Sequence, residues 1–490
     1  YVYDKYVQRE HQLLVNYPII GRLRYLLEEF REPFRQYFGD EKFYESKDKL
    51  DWVYKAARDL PNYASFSPAQ PLPKPKFMIR HANIVLNDNE VENSFEVIFG
   101  ERRRKPFISK SIIARSAMSD GSISPEGTRA FVQGSFIGGF PINSGEGGVT
   151  SNFFVTHENY DSKYMTIVDS SSLNKSIKRV AKFLFNGAIA ADVYRKLVFK
   201  NDPEAETYIL DMNKKQFYRP NWDAPLEVFP KEVPSDMPDI VFQISSGLYG
   251  TRDKNGKFDA YRYQKVMSFC QMTEIKIAQG AKQTGGKLSG QKVTPAIAYY
   301  RNVEAYKDVF SPNRFPYANS IEELFDFIGT LQELSGKPVG MKIVISDMQN
   351  IEPYAKEIKR RVDLGIDAYP DYITLDSGSG GSATAPLEMM ERVGLNVRDS
   401  VYLVNKVLTD YGVRDKVRIV ASGKILTPDD IIIVMSLGAD FLQIARGFMM
   451  SAGCIRARYC SGTTGRQCPV GLATQDKSKR KKYFVFRHAN

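Results

Sequence analysis

Short apolar runs ending in glycine- and serine-rich turns, each followed by an amphipathic stretch, recur along this chain, and that rhythm constrains its fold more than any other feature. The runs are Ser111 to Met118, the segment around Gly138 to Ile142, Ile240 to Ile244, Thr273 to Ala278, Val339 to Ile345, Tyr372 to Asp376, Val417 to Ala421 and Phe441 to Ala445. Near-continuous Val, Ile and Leu suits strands buried on both faces, the condition of a parallel sheet covered by helices. Eight such strands predict an α/β protein with a closed (β/α)8 TIM barrel rather than an open sheet. In such barrels the loops after the strands' C-terminal ends carry the site.

Two regions fall outside the rhythm. In residues 1–76, Ile20, Leu23, Leu26, Leu27 and Phe30 recur at helical spacing, Phe34 and Phe38 follow, and Pro68, Pro71, Pro73 and Pro75 force an extended stretch. The expected organisation is an N-terminal helical segment with a proline-rich linker over 1–76 and a barrel domain over 77–490. Residues 150–238 hold long helical and polar segments without the strand–loop–helix repeat, and read as an insertion after the second strand. On the site face it would be a lid or a docking surface; an inert surface elaboration is the other reading.

The 490 residues are 43% hydrophobic and 26% charged, as in soluble globular proteins. No uninterrupted apolar run is long enough to span a membrane. Four cysteines do not make a disulfide framework at this length, so a reducing compartment and a cytoplasmic location are expected. A membrane anchor or targeting segment upstream of Tyr1 would lie outside this sequence. The net charge of +11 favours an anionic partner, such as an acidic electron carrier, a nucleic acid or a membrane surface. The basic runs Arg102 to Lys105 and Lys477 to Lys482 are short and lack interleaved aromatics, so they read as solvated surface or a docking patch, and no nucleic-acid partner is expected.

Three of the four cysteines, Cys454, Cys460 and Cys468, crowd into the loop 454–468. Their C-x5-C-x7-C spacing is not the paired short spacing of a zinc knuckle. Soft thiolates gathered in one loop fit an iron–sulfur cluster; a zinc site and buried structural thiols remain open from spacing alone. Two neighbouring loops point to a phosphate. Ser422-Gly423-Lys424 leads into a helix opening at Thr427-Pro428, and Arg446-Gly447 opens another. Glycines there let backbone N–H groups approach an anion, and helix starts add positive potential. The plainer reading is a pair of tight turns. No G-x-G-x-x-G fingerprint stands in a βαβ context, so a built-in nicotinamide domain is not expected. Lys342, inside an apolar run, needs either a structural ion pair or an electron-rich cofactor edge.

Gly145-Glu146-Gly147-Gly148, Gln243 to Gly247, Ile275 to Lys282, Gly378 through Pro386, and Gly453 through Gln475 follow one another as in the synthase domain of glutamate synthases, which the chain resembles over roughly residues 105–476. Asn16-Tyr17-Pro18 to Phe38 is similar to the stand-alone FMN-binding members. The resemblance implies FMN, a 3Fe–4S cluster, and reduction of 2-iminoglutarate, formed from 2-oxoglutarate and ammonia, to glutamate. It places Met118, Ser119, Gly121, Gln243 and Lys342 around the flavin ring, and Gly378, Gly380, Gly381, Ser422, Gly423, Lys424, Arg446 and Gly447 on the phosphate-side loops. It makes Cys454, Cys460 and Cys468 the cluster ligands, and Glu146, Lys276, Lys282 and Lys292 the substrate-side catalytic residues. The chain departs from the family in its longer last cysteine interval, in a Lys282 to Lys287 loop without proline, in Asp120 where an aromatic is common, and in its long insertion. With no glutaminase nucleophile or reductase domain in view, ammonia would come from solution or a separate glutaminase partner, and electrons from an external donor such as ferredoxin or a reductase subunit. The competing expectations are an FMN barrel isomerase or transferase, and a non-catalytic electron-transfer paralogue.

Overall fold

The computed structural model describes residues 1–29, 47–62, 77–92, 94–154, 165–168, 197–200, 208–211, 216–221, 223–227, 229–280, 286–380, 392–457, 459–461 and 467–483, with isolated positions between these stretches. Eight parallel strands close into a barrel. They are β1 (Ile113–Arg115), β2 (Ile142–Asn143), β3 (Ile240–Ile244), β4 (Met272–Lys276), β5 (Val339–Ile343), β6 (Tyr372–Asp376), β7 (Arg418–Ser422) and β8 (Phe441–Ile444). Each pairs with its neighbours in chain order, and β8 returns to β1 through Leu442↔Ile113, Gln443↔Ala114 and Ile444↔Arg115. The barrel expected from the rhythm of apolar runs is the observed fold. The first two strands are shorter than their runs. Ser124 caps the helix Pro125–Gly138 by accepting from Gly127 N–H, Pro125 suits its first turn, and left-handed Gly139 (φ 64°) ends it, so β2 cannot begin before the chain has turned.

An antiparallel hairpin, Val97–Phe99 with Phe107–Ser109, precedes β1. Phe99 and Phe107 pack with Ala114, Val241, Met272, Tyr372, Val420 and Phe441, most of them early residues of barrel strands. The Phe99 ring meets Tyr372 and Phe441 edge-on at 5.4 and 5.3 Å. The N-terminal mouth of the barrel is thus plugged with aromatic carbon, and the polar side chains gather toward the other end.

The described parts of the N-terminal segment pack against the barrel domain. Leu50 and Val53, on the helix Lys47–Ala56, join Leu426 and Met450 in one apolar cluster, and Lys49 pairs with Asp430. Leu13, on the helix Gln12–Asn16, enters the main core. Residues 63–76, most of the expected linker, lie outside the described residues. In the insertion, Met165–Ile167, Gln216–Pro220 and Ile209–Asp211 form a three-stranded antiparallel sheet, where the sequence suggested helical and polar segments. Phe217 packs there with Phe199, Ala205 and Tyr208.

Barrel closure leaves little slack at β5. A Cβ on Gly340 would stand 2.5 Å from the Tyr372 ring and from its carbonyl oxygen, and the Tyr372 hydroxyl donates to Thr273 O at 2.8 Å. Gly340→Ala is therefore expected to cost about 1–3 kcal/mol of unfolding free energy, read as a lower denaturant midpoint.

Candidate functional site

The C-terminal mouth holds an acid–base pair. The loop after β2 carries Glu146, and β4 ends at Lys276, whose ammonium donates to Glu146 Oε2 and to Gln279 Oε1, both at 2.9 Å. Gly145 (φ 69°) and Gly147 bring this loop against the loop after β1: a Cβ at Gly145 would sit 2.5 Å from Ser119 N, and one at Gly147 2.9 Å from Ser119 Cβ. Burial pushes the Glu146 carboxyl up. The Lys276 ammonium, hydrogen bonds from Lys276 and Ser245, and the Arg301 guanidinium outweigh it and bring it down to about 2. Arg301 ends the helix Pro295–Arg301, is buried, lies 5.2 Å over the Tyr249 ring, and donates to Asp120 O at 3.2 Å. Burial lowers its pKa, while Tyr249, Glu146 and Asp120 favour its charged form. No sequence signal marked Arg301; only the fold brings it to Glu146.

Below the mouth, the interior is polar. Glu274 on β4 is fully buried and accepts from Asn143 Nδ2 (3.0 Å), Gln243 Nε2 (2.6 Å), Thr374 Oγ1 (2.6 Å) and Gln443 Nε2 (3.0 Å). With its amide nitrogen committed, Gln443 keeps its Oε1 buried and without a partner among the described residues. Lys342 on β5 is a register partner of Lys276 and is 5% exposed. Its ammonium donates no hydrogen bond among the described residues, although the buried Asp376 carboxyl lies within electrostatic reach. Burial pushes Asp376 up, against the pull of Lys342 and of a 3.0 Å hydrogen bond from Gly280 N–H. Glu274 went unnoticed in the sequence, yet it carries the signal that marked Lys342: a charge inside an apolar run.

On the opposite side, the loops after β6 and β7 come together, and the loop after β8 follows them in barrel order. Ser422 Oγ stands 3.5 Å from Ser116 Oγ, and Ser422 O accepts from Ser377 N–H at 2.9 Å. Gly423 (φ 122°) has no room for a Cβ, which would meet Ser377 Cβ at 2.3 Å, and Lys424 follows at φ 50°. Gly378 and Gly380 are structural donors here: their N–H groups go to Leu395 O and Ser377 O, both at 2.7 Å. Gly447 stands in the first turn of the helix Arg446–Ser451, and a Cβ there would touch only Ile444. Burial and the neighbouring Arg456 guanidinium both depress Arg446, a condition that a bound anion relieves. Gly121 (φ 96°) serves a turn: its N–H goes to Ile123 O at 3.1 Å and to Asp120 Oδ1 at 3.0 Å. Met118 is half-buried against the core. Lys282 and Gly381 lie outside the described residues.

The cysteine loop is tied to the loop after β1. Gln475 Nε2 donates to Gly121 O (3.2 Å) and Ile123 O (3.1 Å), and Ser124 N–H donates to Leu472 O (2.9 Å). Lys292 is engaged here rather than with Glu146: its ammonium donates to Cys460 O (2.6 Å), Ala473 O (3.3 Å) and Ser122 O (3.4 Å). Burial depresses its pKa while Cys460 and Cys468 favour the charge. Cys468 belongs to the main core, and Cys454 and Cys460 pack against it. Burial pushes the Cys454 thiol up to about 11, and its sulfur accepts from Arg456 N–H at 3.4 Å. The three thiols lie within electrostatic reach of one another. Among the described residues, no three His, Cys, Asp or Glu side chains converge on a single ion position.

A parallel barrel with an ion pair on one side of its C-terminal mouth and glycine turns beside cationic side chains on the other defines the class: an α/β barrel with charged side chains gathered at its C-terminal mouth. Residues 62–489 match the conserved region in glutamate synthase, and the chain belongs to the glutamate synthase family. It is 29% identical to the glutamate synthase large subunit-like protein YerD of Bacillus subtilis (strain 168) over 518 residues, 97% of this chain and 82% of that protein. It is 32% identical to the archaeal-type glutamate synthase [NADPH] of Thermotoga sp. (strain RQ2) over 256 residues, 52% of this chain and 46% of that protein. The chain therefore spans under half the length of that second relative. Among solved structures, a mandelate oxidase variant with a monooxide FMN adduct aligns at a TM-score of 0.36 and 12% identity, over 94% of this chain and 95% of that one. No helix among the described residues is long and apolar enough to cross a membrane.

The Glu146 value fixes a pH response. Its folded-state pKa of about 2 lies below the ordinary 4.5, so the pair's contribution to stability is complete above the ordinary value and is lost as pH falls through about 2. Carboxyl-carbon NMR is expected to show Glu146 ionised from about pH 5 to about pH 9. In Lys276→Met, where burial dominates, its titration is expected to move upward.

Proposed function

We propose that the chain is an FMN-dependent oxidoreductase that reduces 2-iminoglutarate, formed from 2-oxoglutarate and ammonia with loss of water, to glutamate. The reduction takes two electrons and two protons from outside the chain, through a donor such as ferredoxin or a reductase subunit; ammonia comes from solution or from a separate glutaminase. The observation that carries this reading is the buried Lys342 ammonium, which donates no hydrogen bond among the described residues and stands in register with the Lys276 that binds Glu146.

The residues fit FMN. Lys342 and the orphaned Gln443 Oε1 offer a cation and an acceptor to the polar edge of a flavin ring, and Gln243, whose Nε2 is held by Glu274, presents its Oε1 to the same ligand. Gly423, Lys424, Arg446 and Gly447 would take the phosphate. FMN, when bound, supplies the hydride chemistry. The chain's part is binding and charge placement. Lys276 and Arg301 offer cations to a dicarboxylate, and Lys282 is assigned to the same task. Glu146, held as a carboxylate, keeps Lys276 charged and orders it; a group ionised down to about 2 is not the proton donor near neutrality. Cys454, Cys460 and Cys468 would hold a 3Fe–4S cluster. Three thiols packed at the edge of the main core, an N–H donor to one sulfur and the adjacent Lys292 ammonium are the features that support this assignment.

Protein purified without oxygen is expected to be yellow, to bleach with dithionite, to contain iron and acid-labile sulfide, and to form glutamate from 2-oxoglutarate and ammonium with reduced ferredoxin. A colourless protein that takes up no added FMN would sink the proposal. Lys342→Ala is expected to weaken FMN binding by about tenfold or more, read by flavin fluorescence, because a charge-assisted contact of about 1.5–3 kcal/mol is lost.

A further inference from the structure

Each of the loop's three cysteines is pinned at its own or the next carbonyl by a donor from elsewhere in the chain. The Tyr54 hydroxyl donates to Cys454 O at 3.0 Å, Lys292 Nζ to Cys460 O at 2.6 Å, and Asn16 Nδ2 to Pro469 O, next to Cys468, at 2.8 Å. Two of these three donors come from the N-terminal segment, which the sequence suggested was an appendage. Both sit on helices that are themselves packed: Tyr54 through Leu50 and Val53 against Leu426 and Met450, Asn16 through Leu13 in the main core.

We propose that Tyr54 and Asn16 are positioning residues which, with Lys292, set the spacing of the three thiols, so that the N-terminal helices are a working part of the cysteine site. A carbonyl fixed beside each cysteine limits the backbone freedom through which the sulfurs could drift apart. It also keeps the thiols turned into the apolar core. The motif Asn16-Tyr17-Pro18 thereby gains a physical task, since its first residue reaches the far end of the loop. The part of this inference that concerns iron rests on the function proposed above; the part that concerns thiol spacing does not.

The test uses the full chain with Tyr54→Phe, which keeps the ring and removes the hydroxyl, and Asn16→Asp, which keeps the shape and removes the donor. Alkylation by iodoacetamide in metal-free protein is followed residue by residue by mass spectrometry, with fully buried Cys270 as the internal reference. Cys454 in the first variant and Cys468 in the second are expected to react about three- to tenfold faster, the loss of roughly one net hydrogen bond, with Cys270 unchanged. In anaerobic preparations the iron centre's paramagnetic resonance spectrum is expected to change in both variants while flavin absorption stays as in the parent. Unchanged rates at all three thiols, or an equal acceleration at Cys270, would overturn the proposal. A parent protein without iron or sulfide defeats the cluster reading alone, and the thiol rates then decide the positioning role.

Discussion

One carboxylate deep in the barrel organises most of what surrounds it. Glu274 takes hydrogen bonds from side chains on β2, β3, β6 and β8. A buried carboxylate is costly unless its lone pairs are filled, and here donors from four strands fill them. The same bonds commit the amide nitrogens of Gln243 and Gln443 and turn their oxygens away from Glu274. Lys342 occupies the neighbouring strand with its ammonium outside this network. The interior is thus a polar floor in which Glu274 accepts four hydrogen bonds while Gln443 Oε1 stays without a partner among the described residues.

Around that floor, the loops after β1 and β2 and the cysteine loop form one continuous body. Gly145 and Gly147 lie against Ser119, Gln475 holds the turn at Gly121 to Ile123, and Lys292 joins Ser122 to Cys460 and Ala473. Lys292 is the clearest case of a residue whose place follows from contacts rather than from its neighbours in the chain. The resemblance grouped it with Lys276 among the substrate-side residues, and its ammonium donates to three carbonyls.

The barrel was legible because burial on both faces writes a repetitive pattern that needs no long-range information: the run Tyr372 to Asp376 is the strand β6, and Ile240 to Ile244 is β3. The pair of Glu146 and Lys276 was legible as motif, and the fold brings the two together. Other features depend on tertiary contacts that no local pattern encodes. Arg301 is an unremarkable helix-end arginine until folding lays it beside Glu146. Gly378 and Gly380 look like phosphate-side residues in a glycine-rich turn, but the Gly380 N–H closes the turn onto Ser377 O and the Gly378 N–H goes to the distant Leu395 O. The docking of Leu50 and Val53 depends on a complementary surface at Leu426 and Met450, hundreds of residues away in the chain.

The seam between β8 and β1 has a consequence for biosynthesis. Ile113 finds its partner Leu442 only after every other barrel strand has emerged, so the leading edge of the sheet stays open while the rest of the barrel is made. An unpaired strand edge is a template for wrong partners, and such distant pairing slows folding. The aromatic hairpin is made before β1, and every strand it plugs comes later. Vectorial synthesis therefore makes the stopper before the bottle, and the nascent chain passes through a long interval in which Phe99 and Phe107 await the strands that will bury them.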